Sequence, residues 1–431
     1  MLNNLINWLI SHTPLFYWTQ SLWRDEAFSV WIAQDGVKEV IARTAHDFNP
    51  PLYYLILHFW MKLFGRSEII LRGLSLIFFL FLLIFIYKFS LKIFRNKNQA
   101  LITLLLAAFN PMLIYYAFEL RMYSLFAFFA TASVYFLFTK NWFWYVVFTT
   151  LGLYTQPFMA IFAVSQIPYF YITKQVKPMV KNFILLGLLY LPWLPTLLAQ
   201  FKQSGPMWMF PVDINLFNSV LGNLYTGYEG TPGGLWIIMS AISLGLILIS
   251  ISIFKTNQYK PVSRLILSWV FLPLALVLGI SLFKPIYVNR YLIFITVGQI
   301  LLVSLWFATL KTNKYRHIII ASVLIITFIL NFLASDFHRK VNIRITFEQI
   351  TPLLQNNDLI YAQTPLVFFE SLYYSKSPAV VRLYNPYGIT PPKYVGSDGM
   401  PQSVWESTYP KFPKRAFVIS EDGEYKIVST L

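Results

Sequence analysis

The sequence contains no cysteine. That absence excludes a disulfide framework, a thiolate nucleophile and any Cys-based metal centre, and it leaves every side chain compatible with an oxidising exterior. Charge is scarce as well: 12% of the 431 residues are Asp, Glu, Lys or Arg, about half the share of an ordinary globular domain. Acid is the scarcer sign, with 18 Asp and Glu against 34 Lys and Arg and a net charge of +16. There is no phosphate-cradling glycine loop, no Ser/His/Asp order, no nucleotide-binding glycine pattern, no internal repeat and no low-complexity segment, so ATP-driven chemistry is not expected of this chain. What is abundant is apolar surface: 57% of residues are hydrophobic, including 40 Phe, 27 Tyr and 13 Trp. That composition excludes disorder and most soluble folds. On a soluble protein the basic excess would point to nucleic acid; on a membrane protein it sets topology, and no nucleic-acid partner is expected.

Crossing ~30 Å of hydrocarbon takes about 20 apolar residues. Ten stretches approach or reach that length, at 70–87, 100–118, 122–138, 142–157, 158–173, 183–199, 235–254, 265–283, 291–310 and 317–335. An eleventh candidate, 5–22, is interrupted by Asn7, His12 and Pro14. It is a short or broken span, an interfacial helix, or the remnant of a shortened start. The loops 88–99, 139–141, 174–182, 255–264 and 311–316 hold fourteen Lys or Arg and no acid. They are expected to be cytoplasmic, which puts every acidic residue on the other side.

Three segments lie outside the spans. In Trp23–Glu68, the run PLYYLILHFWMKLF is apolar for only about 14 residues, too short to cross, and predicts an amphipathic helix in the outer interface. Residues 200–234 are rich in Gly and Pro, show no clear span, and are expected to form a binding loop, a lid or a disordered loop. From Asp336 soluble composition returns. Helical spacing over 343–355 and 366–374 alternates with strand signals at 358–362 and 379–384, and 416–420 and 425–429 flank a hairpin-type turn at Glu421–Glu424. The expected architecture is an α-helical polytopic membrane protein of about 10–11 spans over 1–335, followed by a small extracytoplasmic α/β domain over 336–431.

Four clusters could carry chemistry. Trp23-Arg24-Asp25-Glu26 sets adjacent carboxylates beside a cation. Such a pair can furnish a general base tuned by burial and a neighbouring charge, or simply be the acidic first turn of a helix. In His46-Asp47-Phe48-Asn49-Pro50-Pro51 the prolines suit a helix start. That account leaves His46 and Asp47 unexplained, and with Asn49 they are candidates for a substrate cavity. No metal-ligand spacing accompanies the histidine, so no metal is expected. The turn at Tyr115–Ser124 contains Glu119, Arg121 and Tyr123. Charges at membrane depth are costly and mark function by default, the other reading being a snorkelling pair. Arg290 has the same two readings with snorkelling favoured, and Arg72, about a turn inside its span, is expected to snorkel. In Tyr154-Thr155-Gln156-Pro157, Tyr154 and Gln156 line a cavity or mark a helix break.

The segments LWRDEAFSVWIA, DFNPPLYYLILHFWMKLFGRSEIILRGLSLIF, YYAFELRMYSLFAFFATASVYF, LGLYTQPF and LPWLPTLLAQ, in that order, resemble the bacterial family-39-type glycosyltransferases of the GT-C superfamily. These are relatives of the protein O-mannosyltransferases and of the aminoarabinose transferase that modifies lipid A. The resemblance covers about 15–310, and the tail resembles the family's variable outer domain only loosely. It implies transfer of a sugar from a polyprenyl-phosphate donor to a protein, lipid or glycan acceptor on the outer face, with inversion at the anomeric carbon. By it Asp25 matches the catalytic base, Glu26 its companion, and Arg121 the basic residue near the donor phosphate. Arg24 and Arg290 are further candidate cations for that phosphate, and arginines could serve without a metal or other cofactor. The chain departs from the family in its short first span, and in Asn49 and Gln156, where relatives often carry His. A transporter or lipid-sugar flippase without chemistry is the competing class. It would place broken helices and charges near the midplane and show repeats, whereas here the charges fall at outer span ends.

Overall fold

The computed structural model describes residues 13–203, 209, 211–229, 233–311 and 314–431. The chain divides into two compact units, one made of 1–14, 73–194 and 209–338, the other of 15–72, 195–208 and 339–431. Residues 5–12 of the expected span at 5–22 lie outside the described residues; in the remainder, Phe16–Thr19 forms one short helical turn.

In the first unit every predicted span is helical, though not every helix is long enough to cross. Glu68–Phe94, which begins in the second unit, Trp236–Lys255, Val262–Ser281, Asn289–Thr309 and Lys314–Leu333 have the length and hydropathy of complete spans. Lys97–Ala108 and Pro111–Ala117 make a pair bent by 63°. The break falls at Asn110, whose side chain caps the second helix by accepting the Leu113 N–H at 3.1 Å, with Pro111 at its first position. Tyr123–Phe138, Trp142–Leu153 and Phe158–Ile172 are shorter apolar helices.

Burial sorts these helices. Fourteen of the seventeen residues of Ile293–Thr309 and thirteen of the sixteen of Tyr123–Phe138 are buried, so these two form the core. A helix apolar on all sides belongs inside a bundle or a membrane. Close approach depends on Gly298, where a Cβ would come within 2.8 Å of Val270.

The segment 200–234 departs from expectation. Rather than a structureless loop it contains a helix, Ile214–Thr226, with Asp213 accepting the Leu216 N–H at 2.7 Å and Gly227 ending it in the left-handed conformation at φ 78°. The helix is amphipathic and its second half is buried. Thr296 and Gln299, polar groups in the middle of a span, donate to the carbonyls of Leu224 (2.6 Å) and Leu221 (2.9 Å).

In the second unit the tail forms a five-stranded sheet of order β3-β2-β1-β4-β5: β1 Leu359–Ala362, β2 Val381–Tyr384, β3 Trp405–Glu406, β4 Ala416–Ile419 and β5 Tyr425–Val428. The first four pair in parallel and β4–β5 is the predicted antiparallel hairpin. The helix expected over 343–355 stops at Ile350 and tightens into a 3₁₀ turn at Pro352.

The expected boundary at 336 is not where this unit begins. Ala27, with Phe28 and Trp31 beside it, belongs to one core with Ile343, Phe347, Val367, Phe368, Phe369 and Phe417. The helix Arg24–Ala33 is therefore part of the α/β unit's interior. Gly396, at φ +80°, lets the chain pass the Phe28 ring, which a Cβ there would meet at 2.6 Å. Val37–His46 and the predicted interfacial helix Leu52–Phe64 complete the segment, with His58 Nδ1 against the Ala33 carbonyl at 2.8 Å.

Candidate functional site

The acidic pair at the start of Arg24–Ala33 is split in its environment. Asp25 is half-buried, and its backbone carbonyl accepts the Ser29 hydroxyl at 2.8 Å. Glu26 is fully buried. It binds Arg72 through two bonds, Nε to Oε1 at 2.9 Å and Nη2 to Oε2 at 2.7 Å, and Lys340 Nζ lies 3.0 Å from Oε2. It also reaches back to the Trp23 N–H at 3.3 Å, closing the first turn. Arg72 is 0% exposed, so the expectation that it snorkels is overturned. A buried guanidinium needs all its donors met, and here the remaining ones go to the carbonyls of Trp18 (3.1 Å), Gln20 (2.5 Å) and Ser21 (3.1 Å). Arg72 thus pins the strap 18–21 and neutralises Glu26 together, and breaking such a buried pair from one side typically costs about 3–5 kcal/mol.

The tail supplies the rest of the surround. The Tyr374 hydroxyl accepts the Leu22 N–H at 2.7 Å and the Ser21 hydroxyl at 3.0 Å, and donates to Glu68. Burial, with the Glu68 carboxylate next, pushes its ionisation far above the ordinary tyrosine range. Arg344 pairs with Glu68 at 2.5 Å and donates to the Thr19 carbonyl at 2.8 Å. Glu370 is buried, and burial pushes its carboxyl up to about 8, with Glu26 and Asp25 raising it further against the lowering pull of the Arg24 backbone N–H and charge. Arg24 itself is exposed, its guanidinium 5.0 Å from the Trp23 ring.

Of the other candidates in this unit, His46 is exposed and its Nδ1 contacts the Ala42 carbonyl of its own helix at 2.9 Å, a C-terminal position that explains it locally. Asn49 is buried and donates to Asp47 at 3.1 Å.

The first unit carries its own polar cluster. Glu119 and Arg121 are 2% and 6% exposed, in the turn that follows Pro111–Ala117. The Ser75 hydroxyl holds that turn by donating to the carbonyls of Glu119 (2.6 Å) and Arg121 (3.4 Å). The Arg121 guanidinium stands 6.0 Å from the Tyr123 ring. Tyr115, Tyr116 and Tyr123 stack edge to face at 4.8 Å spacings, and Tyr115 lies flat on His338 at 3.7 Å. Glu229 joins Tyr116 (3.5 Å) to Arg290 (3.4 Å). The Arg290 side chain is 12% exposed and its partner carboxylate 41%, so the pair lies at the edge of the fold. Tyr154 donates to the Leu189 carbonyl at 3.0 Å, and Gln156 is buried at a helix break. Among the described residues no three His, Asp or Glu are grouped to hold a metal ion.

Sequence reasoning did not find Lys340, Arg344 and its partner Glu68, Glu370, Tyr374 or Glu229 as members of these clusters.

Residues 49–197 match the family model described as dolichyl-phosphate-mannose-protein mannosyltransferase. No curated protein matches the chain. Among solved structures, ArnT from Cupriavidus metallidurans in the apo state is 12% identical, with a TM-score of 0.61 over 97% of this chain and 91% of that one. The same protein bound to undecaprenyl phosphate is 11% identical, with a TM-score of 0.62 over 96% and 91%. The resemblance read from the sequence is borne out by a family match over 49–197 and a shared fold over nearly the full length, and the chain is a multi-pass membrane protein with the fold of ArnT.

Proposed function

We propose that the protein transfers a sugar from a polyprenyl-phosphate donor to an acceptor hydroxyl or amine on the extracytoplasmic face, by single displacement with inversion and without a metal. The carrying observation is the division of labour at Asp25 and Glu26 in a chain that has the fold of an undecaprenyl-phosphate-bound structure. Glu26 is engaged with Arg72 and Lys340, and Asp25, half-buried one residue earlier in the first turn of the same helix, is the residue that the resemblance matches to the base and is assigned the proton transfer. In that reaction the acceptor oxygen or nitrogen attacks the anomeric carbon as the bond to the donor phosphate oxygen breaks. Asp25 takes the acceptor proton, and the polyprenyl phosphate leaves with the bonding pair. A base in hydrogen-bond reach and fixed cations at the developing charge are the two contributions such a step needs. Arg121, which is buried, and Arg290, which is largely covered, each stand beside a tyrosine ring and are assigned to the phosphate, and Glu26 to positioning.

Reconstituted with a panel of radiolabelled polyprenyl-phosphate sugars, the Asp25→Asn variant is expected to express and bind lipid normally while transfer falls by at least ~100-fold. Full activity would remove Asp25 as the base. Arg121→Ala is expected to weaken donor binding, and an unchanged donor affinity would remove it from the phosphate site.

A further inference from the structure

The second unit holds a cavity of about 670 Å³ that no step of the transfer chemistry uses. That volume lies in the range of small-ligand sites. Its lining includes Arg66, Arg344 and Lys376 against a single carboxylate, Glu68, with Trp31 and Tyr373 giving aromatic walls. Arg344 is neutralised by Glu68. Arg66 and Lys376 are exposed, and among the described residues neither takes part in an ion pair. Arg66 makes one long contact, 3.4 Å to the Gln34 carbonyl, and its own carbonyl is fixed by the Tyr373 hydroxyl at 2.6 Å. The pocket therefore presents two positive charges on a backbone held in place.

Its position along the chain says which solvent it meets. Glu68 is the first residue of the 27-residue apolar helix Glu68–Phe94. The side chains flanking the lining stretch 66–68 are large, apolar and exposed: Leu63 at 75%, Phe64 at 54% and Ile69 at 51%. A water-soluble anion gives no reason for that apolar collar. A bilayer does, because cations and aromatic rings gather where acyl chains give way to headgroups.

We infer that this cavity is a binding site for the phosphate headgroup of an anionic glycerophospholipid, with Arg66 and Lys376 donating to the phosphate and the glycerol region lying against Trp31 and Tyr373. The lipid enters from the bilayer with its acyl chains over Leu63, Phe64 and Ile69. The inference rests on the membrane assignment and is independent of the sugar transfer.

The test uses the full chain in detergent, titrated with dihexanoyl phosphatidylglycerol, dihexanoyl phosphatidylcholine and glycerol 3-phosphate and read by native mass spectrometry. Phosphatidylglycerol is expected to bind at least ~10-fold more tightly than either of the others. At about 1 kcal/mol for each basic residue near an anionic lipid surface, Arg66→Gln with Lys376→Gln is expected to weaken it by about 10- to 30-fold with an unchanged melting temperature, and Arg66→Lys with Lys376→Arg to retain it. Equal affinity for the zwitterionic lipid, or for wild type and the Gln variant, would overturn the site. Glycerol 3-phosphate binding as tightly as the lipid would replace it with a soluble-phosphate site.

Discussion

Arg72 and Arg24 differ in almost every respect that matters to a guanidinium. Arg24 is exposed, and its removal is expected to cost under about 0.5 kcal/mol. Arg72→Ala would leave the buried Glu26 with Lys340 as its counter-charge and three carbonyls without their donors, and a loss of about 3–5 kcal/mol is expected, read as a fall in the thermal unfolding of the detergent-solubilised protein. Glu370 makes a pH prediction at the same scale. Its carboxyl is raised from 4.5 to about 8 in the fold, so its stabilising form is the neutral one. That contribution is whole below about pH 4.5 and is lost as pH rises through 8. The melting temperature of the wild type is expected to fall between about pH 4.5 and 8, and that of Glu370→Gln to stay flat over the same interval; parallel curves would show that Glu370 does not titrate there. Asp25 and Glu26 were legible because acids are rare in this chain and two adjacent ones stand out. Their setting was not. Glu26 meets partners 46 and 314 residues away, and no local pattern encodes such a pairing.

Among the elements, Ile214–Thr226 shows how a visible signal can be outweighed. Its start and stop, Asp213 and Gly227, stand at the proper spacing in the sequence, yet the Gly and Pro clusters on either side dominate any composition window. Asp213→Ala is expected to cost about 1 kcal/mol through the lost cap. Gly222→Ala should cost more, about 1–3 kcal/mol or beyond, because its Cβ would fall 2.1 Å from the backbone oxygen of Met239; both are checked by thermal unfolding. Four of the five β-strands were legible within two residues because their apolar runs are bounded by turn residues, whereas β3, only Trp405–Glu406, is too short to show a pattern. The ends of the short membrane helices were not, since tight turns at Thr139–Asn141 and Tyr154–Pro157 interrupt an apolar run with little change in composition.

For the whole molecule, the missing cysteines become an advantage. A lone cysteine at Lys177 is expected to resist a membrane-impermeant maleimide added to intact cells, and one at the exposed Glu421 to react; the reverse pattern would invert the proposed orientation. The membrane character of the chain was plain from composition, but the allegiance of residues 15–72 was not, because it depends on the tail. Deleting 339–431 removes Lys340, Arg344, Glu370 and Tyr374 together, and Arg24–His46 is then expected to become protease-sensitive. The same dependence imposes a timetable on biosynthesis. The Tyr374 hydroxyl that receives the Leu22 N–H is made 352 residues after it. At about 5–20 residues per second, the first acidic turn of the nascent chain must wait on the order of 20–70 s for the groups that complete it.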